Sequence, residues 1–311
     1  MRIVFWGTPD FALPALHALS EEGHDVLAVV TQPDRPAGRG RSLGISPVKA
    51  AALAEGIPVL QPERARGEAF LDEIRALEPD LSVVVAYGQI LRPEVLAVPR
   101  FGSVNIHASL LPELRGAAPS QWAIIGGHEK SGVTIMQMDA GMDTGPMLFR
   151  VAEPILPDES ASELAIRLSE IGAEALIEAL ALMENGDLVA VEQEHDQATY
   201  APKLDRETAH LDWTLPAPEV ARWIRGLDAV PGAWSAIDGS ASATVKLFRP
   251  MLEPGEGAPG TVLDADADAG VLIAAGEGAV RVREVQPAGK RRMTAAEWVR
   301  GRGIRTGQRL G

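Results

Sequence analysis

No cysteine occurs in the 311 residues of this chain. Its absence excludes a thiol nucleophile, a thiolate metal site and any disulfide, and it agrees with a reducing compartment. No apolar run approaches the ~20 residues that a membrane-crossing helix needs; stretches such as 81–86 have only strand length. A membrane partner is therefore not expected. His128, His195 and His210 show no metal-ligand spacing, so no metal is expected either. Ser109 lacks the Gly-x-Ser-x-Gly elbow that exposes a nucleophilic serine. Internal repeats are missing, and low complexity is confined to the Ala/Asp-rich turn at 264–268. The first residues, Met-Arg-Ile-Val-Phe-Trp-Gly, read as a strand rather than a leader, which makes the cytoplasm the expected compartment.

What is present describes a soluble protein with a full core. Hydrophobic residues make up 46% and charged residues 23%, and the length suits two domains rather than one. The net charge of −14 argues against a polyanion partner until its distribution is examined. Residues 206–311 carry 14 Lys+Arg against 13 Asp+Glu, so the excess acid lies almost wholly in 1–205. Within 290–309 there are seven basic residues and one acid, Glu297. A polyanion responds to such a patch more than to the total.

The first ~110 residues alternate strand-like runs (2–6, 25–31, 81–86) with stretches of helical apolar spacing (12–22, 47–55, 67–77), with Gly or Pro at the joins. That rhythm predicts an α/β fold with a doubly wound, mostly parallel sheet. Strands at 102–107, 132–138 and 147–151, a short helix at 118–127 and a long one at 160–184 complete it. Past a polar connector and a helix at 218–226, the character changes to short β-like runs at 233–237, 243–248, 260–263, 271–275 and 280–285. These predict a small β-barrel, of OB type or equally of SH3-like type. The expected division is 1–190, a linker at 191–208, and 209–311.

The chemistry concentrates in two segments. Ser-Val-Asn-Ile-His-Ala-Ser-Leu-Leu-Pro (103–112) places Asn105 and His107 two residues apart, on one side of a strand and at its end. Met-Asp-Ala-Gly-Met-Asp-Thr-Gly-Pro (138–146) places Asp143 beside a chain reversal. A lone histidine is most often structural, and Asp-Thr-Gly is good turn chemistry. Together, however, an amide, an imidazole and a carboxylate suit acyl transfer in which side chains stabilise charge and move protons.

Gly7-Thr8-Pro9 departs from the Gly-x-Gly-x-x-Gly fingerprint, and no acid closes the following strand, so it reads as a tight strand-to-helix turn. The segment 31–47 is long for a strand-to-helix connection. It carries Arg35, Arg39 and Arg41, and three arginines in a Gly/Pro-rich loop favour contact with phosphates. Lys290, Arg291 and Arg292 open the basic run beside the expected barrel, where polyanion contact is again the better reading.

Several longer motifs carry a resemblance. They are Gly-Thr-Pro-Asp-Phe-Ala (7–12), Gln-Pro-Asp-Arg-Pro-Ala-Gly-Arg-Gly (32–40), Val-Val-Ala-Tyr-Gly (84–88), Asn-Ile-His-Ala-Ser-Leu-Leu-Pro (105–112), Arg-Gly-Ala-Ala-Pro (115–119) and Tyr-Ala-Pro-Lys-Leu (200–204). With these the chain resembles the bacterial methionyl-tRNA formyltransferase family over essentially its full length. The resemblance implies a Rossmann-like formyltransferase domain, an OB-like tRNA-binding domain, and transfer of a formyl group from 10-formyltetrahydrofolate to the α-amino group of methionine on initiator tRNA. It implies Asn105, His107 and Asp143 as the catalytic trio, with Asp143 keeping His107 charged. Ser109, Leu110, Leu111 and Pro112 would contact the folate, with its pterin near Tyr87, Gly88, Ile90 and Asp139. Arg35, Arg39 and Arg41 would grip the acceptor stem, and Lys290, Arg291 and Arg292 the body of the tRNA. A monomer is expected. Two other readings compete: a formyl-folate-dependent N-formyltransferase acting on an amino sugar or purine-pathway amine, and a non-catalytic RNA-binding protein on the same fold.

Overall fold

In the computed structural model, residues 1–37 and 42–311 are described. They group into two compact units, one comprising 1–119, 130–154 and 165–200, the other 120–129, 155–164 and 201–311.

The first unit is built on a sheet that has, among the described residues, seven strands. Their spatial order is Met147–Pro154, Lys130–Gln137, Ser103–His107, Leu81–Val85, Arg2–Gly7, Asp25–Val30 and Val59–Leu60. Four of the pairings are parallel, and the two involving Lys130–Gln137 are antiparallel. The sheet is therefore parallel-dominated, as the alternating pattern predicts. Leu81–Val85 is the middle strand with Arg2–Gly7 beside it, and the chain winds outward from Arg2–Gly7 first to one side and then to the other. Open α/β sheets bind ligands beyond the carboxyl ends of strands around such a switch point.

The central strands are buried on both faces, which is why they read as continuous apolar runs. Ile3, Val4, Phe5 and Trp6 are fully buried, and the Trp6 indole donates to Ser82 Oγ at 3.0 Å, so its one polar atom is satisfied inside the core. One face is covered by the helix Glu68–Ala76, whose Phe70, Leu71 and Ile74 point inward with 3.6-residue spacing. Pro47–Ala54 starts at Ser46, whose hydroxyl accepts from the Lys49 amide at 3.1 Å, with Pro47 in the first turn. The long helix Ala161–Asn185 lies on the face opposite Asn105 and His107. A Cβ on Gly172 would come within 2.8 Å of Ile106, so glycine is what lets helix and sheet approach closely.

The second unit holds an antiparallel sheet in the order Trp234–Ile237, Ser240–Glu253, Ala279–Pro287, Gly270–Ala274 and Val262–Asp266, with Met293–Thr294 paired to Ala279–Pro287. The C-terminal residues bond to both edges. Ala236 N–H donates to Gly311 O at 2.8 Å, and Val262 N–H donates to Gln308 O at 2.8 Å. The expected barrel is thus an antiparallel sheet whose outer strands are both tied to the last four residues. The helix Ala217–Gly226 packs on this sheet through Val220 and Ile224.

Two expectations change. The strand expected to stop at 248 runs on to Glu253 through Pro250. Its neighbour Trp234–Ile237 pairs only as far as Lys246, so Pro250 sits where the strand has become an edge and its missing N–H removes no ladder bond. The basic run at 290–309 includes an element that the pattern does not predict. It contains the helix Ala295–Arg300, started by a reciprocal capping box between Thr294 and Glu297.

Candidate active site

Asn105 and His107 lie on one face of the strand Ser103–His107, with Met136 and Thr134 opposite them on the neighbouring strand. His107 is 5% exposed. Its Nε2 lies 3.0 Å from the carbonyl oxygen of Leu114, which can only accept, so this nitrogen carries the proton. That fixes the ring and turns Nδ1 towards Asp143, whose Oδ2 is 3.7 Å away. Leu114 is itself held by its amide, which donates to Thr199 Oγ1 at 2.9 Å.

Asp143 adopts φ 55°, a left-handed conformation that a residue with a Cβ seldom takes. Such an outlier persists only when its surroundings hold it. The Gly116 amide donates to Asp143 Oδ2 at 2.8 Å. Gln193 Nε2 donates to the carbonyls of Asp143 at 2.9 Å and Gly145 at 2.7 Å. Asp139 closes the start of the same loop, where its Oδ1 accepts from Gly141 N at 2.9 Å and Thr144 Oγ1 at 2.7 Å. A Cβ at Gly145 would collide with the Gln137 carbonyl, so the loop requires glycine there.

A cleft of about 190 Å³ opens here, lined by Gln89, Ile90, Leu91, Asn105, Met136, Met138 and residues 139–143. Asn105 and Asp143 therefore face one space, and His107 joins them through its contact with Asp143. Ile90 (91% exposed) and Met142 (58%) leave large apolar surfaces open beside it. Walls of this kind, with amides and carboxylates interspersed, suit a flat heteroaromatic ring bearing polar edges.

The other expected folate residues are placed differently. Gly88 is exposed at φ 88°, at the turn leading into the cleft. The Tyr87 side chain is buried in the core, edge-on to Trp6 with ring centroids 5.3 Å apart, and does not line the cleft. Burial pushes its phenol up to about 12, and its hydroxyl has no hydrogen-bond partner among the described residues. The Tyr87 carbonyl accepts from Thr8 Oγ1 and Gln32 Nε2, at 3.0 and 3.1 Å. Ser109 donates to the Glu113 carbonyl at 2.6 Å, Leu111 is fully buried, and Leu110 and Pro112 are half-buried. None of these four residues lines the cleft.

Among the basic residues, Arg35 is exposed at the edge of a small ribbon formed by Arg35–Ala37 and Ser42–Gly44. Arg39 and Arg41 lie outside the described residues. Lys290 and Arg291 are exposed. Arg292 is half-buried: it pairs with Asp228 at 2.9 Å and Glu284 at 2.6 Å and stacks over Phe248 at 3.8 Å. Its guanidinium is engaged within the unit. Among the described residues no group of three His, Cys, Asp or Glu side chains is disposed to hold a metal, and no helix is long and apolar enough to cross a membrane.

Gln193 and Arg115, beside the Asp143 loop, and Gln89, lining the cleft, are polar residues to which sequence reasoning assigned no role. Gln193 comes from the segment after the long helix, where Val191 pairs with Met147 and carries the next residues alongside the Asp143 loop. Nothing local in its sequence marks it. Arg115 sits in the Arg-Gly-Ala-Ala-Pro motif and is 3% exposed.

Comparison with known proteins bears on what these groups do. Residues 1–180 match the formyl transferase family model, and residues 203–303 match the model of the formyl transferase C-terminal domain. Methionyl-tRNA formyltransferase of Geobacter sulfurreducens is 47% identical over 311 residues, covering 100% of this chain and 97% of that one. The enzyme of the same name from Chromobacterium violaceum is also 47% identical, with 100% of both chains covered. Among solved structures, HypX from Aquifex aeolicus in complex with tetrahydrofolic acid superposes with a TM-score of 0.67 at 23% identity. That match covers 96% of this chain and 46% of HypX, so this chain spans about half the length of that protein.

Proposed function

We propose that this chain, which belongs to the methionyl-tRNA formyltransferase family, moves the formyl group of 10-formyltetrahydrofolate onto the α-amino nitrogen of methionine carried by initiator tRNA. The observation that carries the chemistry is the sharing of one cleft by the Asn105 amide and the Asp143 carboxylate, with His107 held against Asp143. The reaction joins an amine to a formyl carbon, so negative charge grows on the formyl oxygen. Asn105 is the neutral donor suited to that oxygen, and a preorganised donor in a dry cleft stabilises such charge far more than water does.

The attacking nitrogen must shed one proton and the departing nitrogen must gain one. Asp143 and His107 are the pair suited to hold and return it. Leu114 keeps the imidazole in one tautomer, and the Asp143 carboxylate offsets positive charge on the ring edge that faces it. No covalent link to the chain is needed, because holding amine and formyl group at near-attack distance supplies most of the acceleration. The formyl donor's ring head suits the cleft between Ile90, Leu91 and the Met136, Met138 and Met142 side chains, with Asp139 at the rim.

For the tRNA, the exposed Arg35 with Arg39 and Arg41 would meet acceptor-stem phosphates, and Lys290 and Arg291 would add charge along its body. A monomer working in the cytoplasm accords with this reading. The test is formyl transfer by the purified protein with charged initiator tRNA and, separately, charged elongator tRNA. Strong preference for the initiator is expected. Formylation of an amino sugar with no turnover on either tRNA would overturn the reading.

A further inference from the structure

We infer that Gln193 is a positioning residue for Asp143, braced by the buried Arg115; the inference rests on the formyl-transfer reading above. Gln193 is 4% exposed, and its amide is used to capacity. Both N–H groups donate to carbonyls of the active loop, those of Asp143 and Gly145. Its oxygen accepts from Arg115 Nε at 3.1 Å and Nη2 at 2.6 Å. The amide cannot be reversed, because a flipped group would set N–H against guanidinium and oxygen against two carbonyls.

Arg115 directs its guanidinium at groups that carry no negative charge, since its other partner among the described residues is His195 Nδ1 at 2.9 Å. A buried cation held by neutral acceptors is a poor device for stability alone. Its position explains it better. Arg115 and Gly116 form one short strand, anchored by the Arg115 amide donating to Thr199 O at 2.9 Å. Arg115 orients Gln193, which grips the Asp143 backbone, while the Gly116 amide grips the Asp143 carboxylate. Two adjacent residues thus set both the main chain and the side chain of Asp143, and the oxygen bound by Gly116 is the one facing His107. The left-handed φ of Asp143 is held at its carbonyl by Gln193 and at its carboxylate by Gly116.

The test substitutes Gln193→Glu, which keeps the length and the attachment to Arg115 but replaces the donors with an oxygen. We expect kcat to fall about 30-fold while KM for both substrates stays within about twofold, the split expected when alignment at the reacting centre is lost. In an Asp143→Ala background the same change should cost nothing more, because the residue acts through Asp143. Hydrogen exchange at the Gly116 amide, followed by NMR, should speed up about tenfold as its acceptor loosens. If the buried carboxylate prevents folding, Gln193→Met, neutral and of similar length, carries the same readings. A kcat within about twofold of the parent, additive losses in the double variant, or unchanged Gly116 exchange would each overturn the inference. The exchange measurement needs no turnover, so its failure counts against Gln193 alone. Absence of formyl transfer by the unsubstituted protein counts against the underlying reading.

Discussion

His107 Nδ1 and Asp143 Oδ2 face each other across 3.7 Å, and a backbone group fixes each side chain in place. The Leu114 carbonyl holds the far side of the ring, and the Gly116 amide holds the carboxylate. The gap is wider than a direct hydrogen bond. His107→Ala should lower kcat for formyl transfer by about 10² to 10⁴. Its affinity for charged tRNA, measured by filter binding, should stay within about threefold because the buried ring offers the tRNA little surface. Retained turnover would remove His107 from the mechanism.

Asn105 makes a separate claim. If it donates to the developing oxyanion, Asn105→Ala should cost about 10² to 10³ in kcat with folate binding nearly intact. Single-turnover kinetics separate the two effects. A loss confined to KM would reassign Asn105 to simple donor binding.

The arginine loop is open to a direct test despite lying partly outside the described residues. Arg41→Ala should raise KM or lower kcat for Met-tRNA and leave folate affinity unaltered. Its effect should shrink as salt rises, since each phosphate contact contributes about one unit to the logarithmic salt slope. Unchanged Met-tRNA kinetics would dismiss the loop as a contact.

The second unit contains a pH-dependent bond away from the site. Arg249 donates to both Glu163 carboxylate oxygens, at 3.2 and 2.8 Å, and this pairing with the Ser160 bonds holds the Glu163 carboxyl at about 2. A carboxyl lowered on folding adds stability that is complete above its ordinary value near 4.5 and is lost as pH falls towards 2. Both side chains are more than 40% exposed, so solvent screening limits the contribution to about 1 kcal/mol. Denaturant midpoints for Glu163→Gln should therefore match the parent near pH 2 and fall below it above pH 5. Parallel curves across that range would show the pair to be inconsequential.

Much of the fold was legible because its signals are local. Apolar periodicity placed the strands around Arg2–Gly7, Asp25–Val30 and Leu81–Val85, and the helices packed on them, to within a residue or two. Val59–Leu60 was not legible, being two residues whose strand identity comes only from pairing with Val29 and Val30. Pro250 misled for a related reason: whether a proline breaks a strand depends on which side of the ladder lacks a neighbour. The capping box at Thr294 and Glu297 is a local signal set among basic residues.

Sequence alone determined the residue types available for chemistry, because a missing thiol or an amide two positions from an imidazole on one strand is a property of the chain itself. It determined the parallel sheet as well, since burial on both faces demands uninterrupted apolar runs. Only the tertiary structure decided which groups meet. Tyr87 went into the core against Trp6, and Arg292 was taken up by Asp228 and Glu284. Gln193, fifty residues from Asp143 in the chain, came to hold its carbonyl. Hydrogen bonds of that range depend on where separate strands are brought side by side, and no local pattern encodes that.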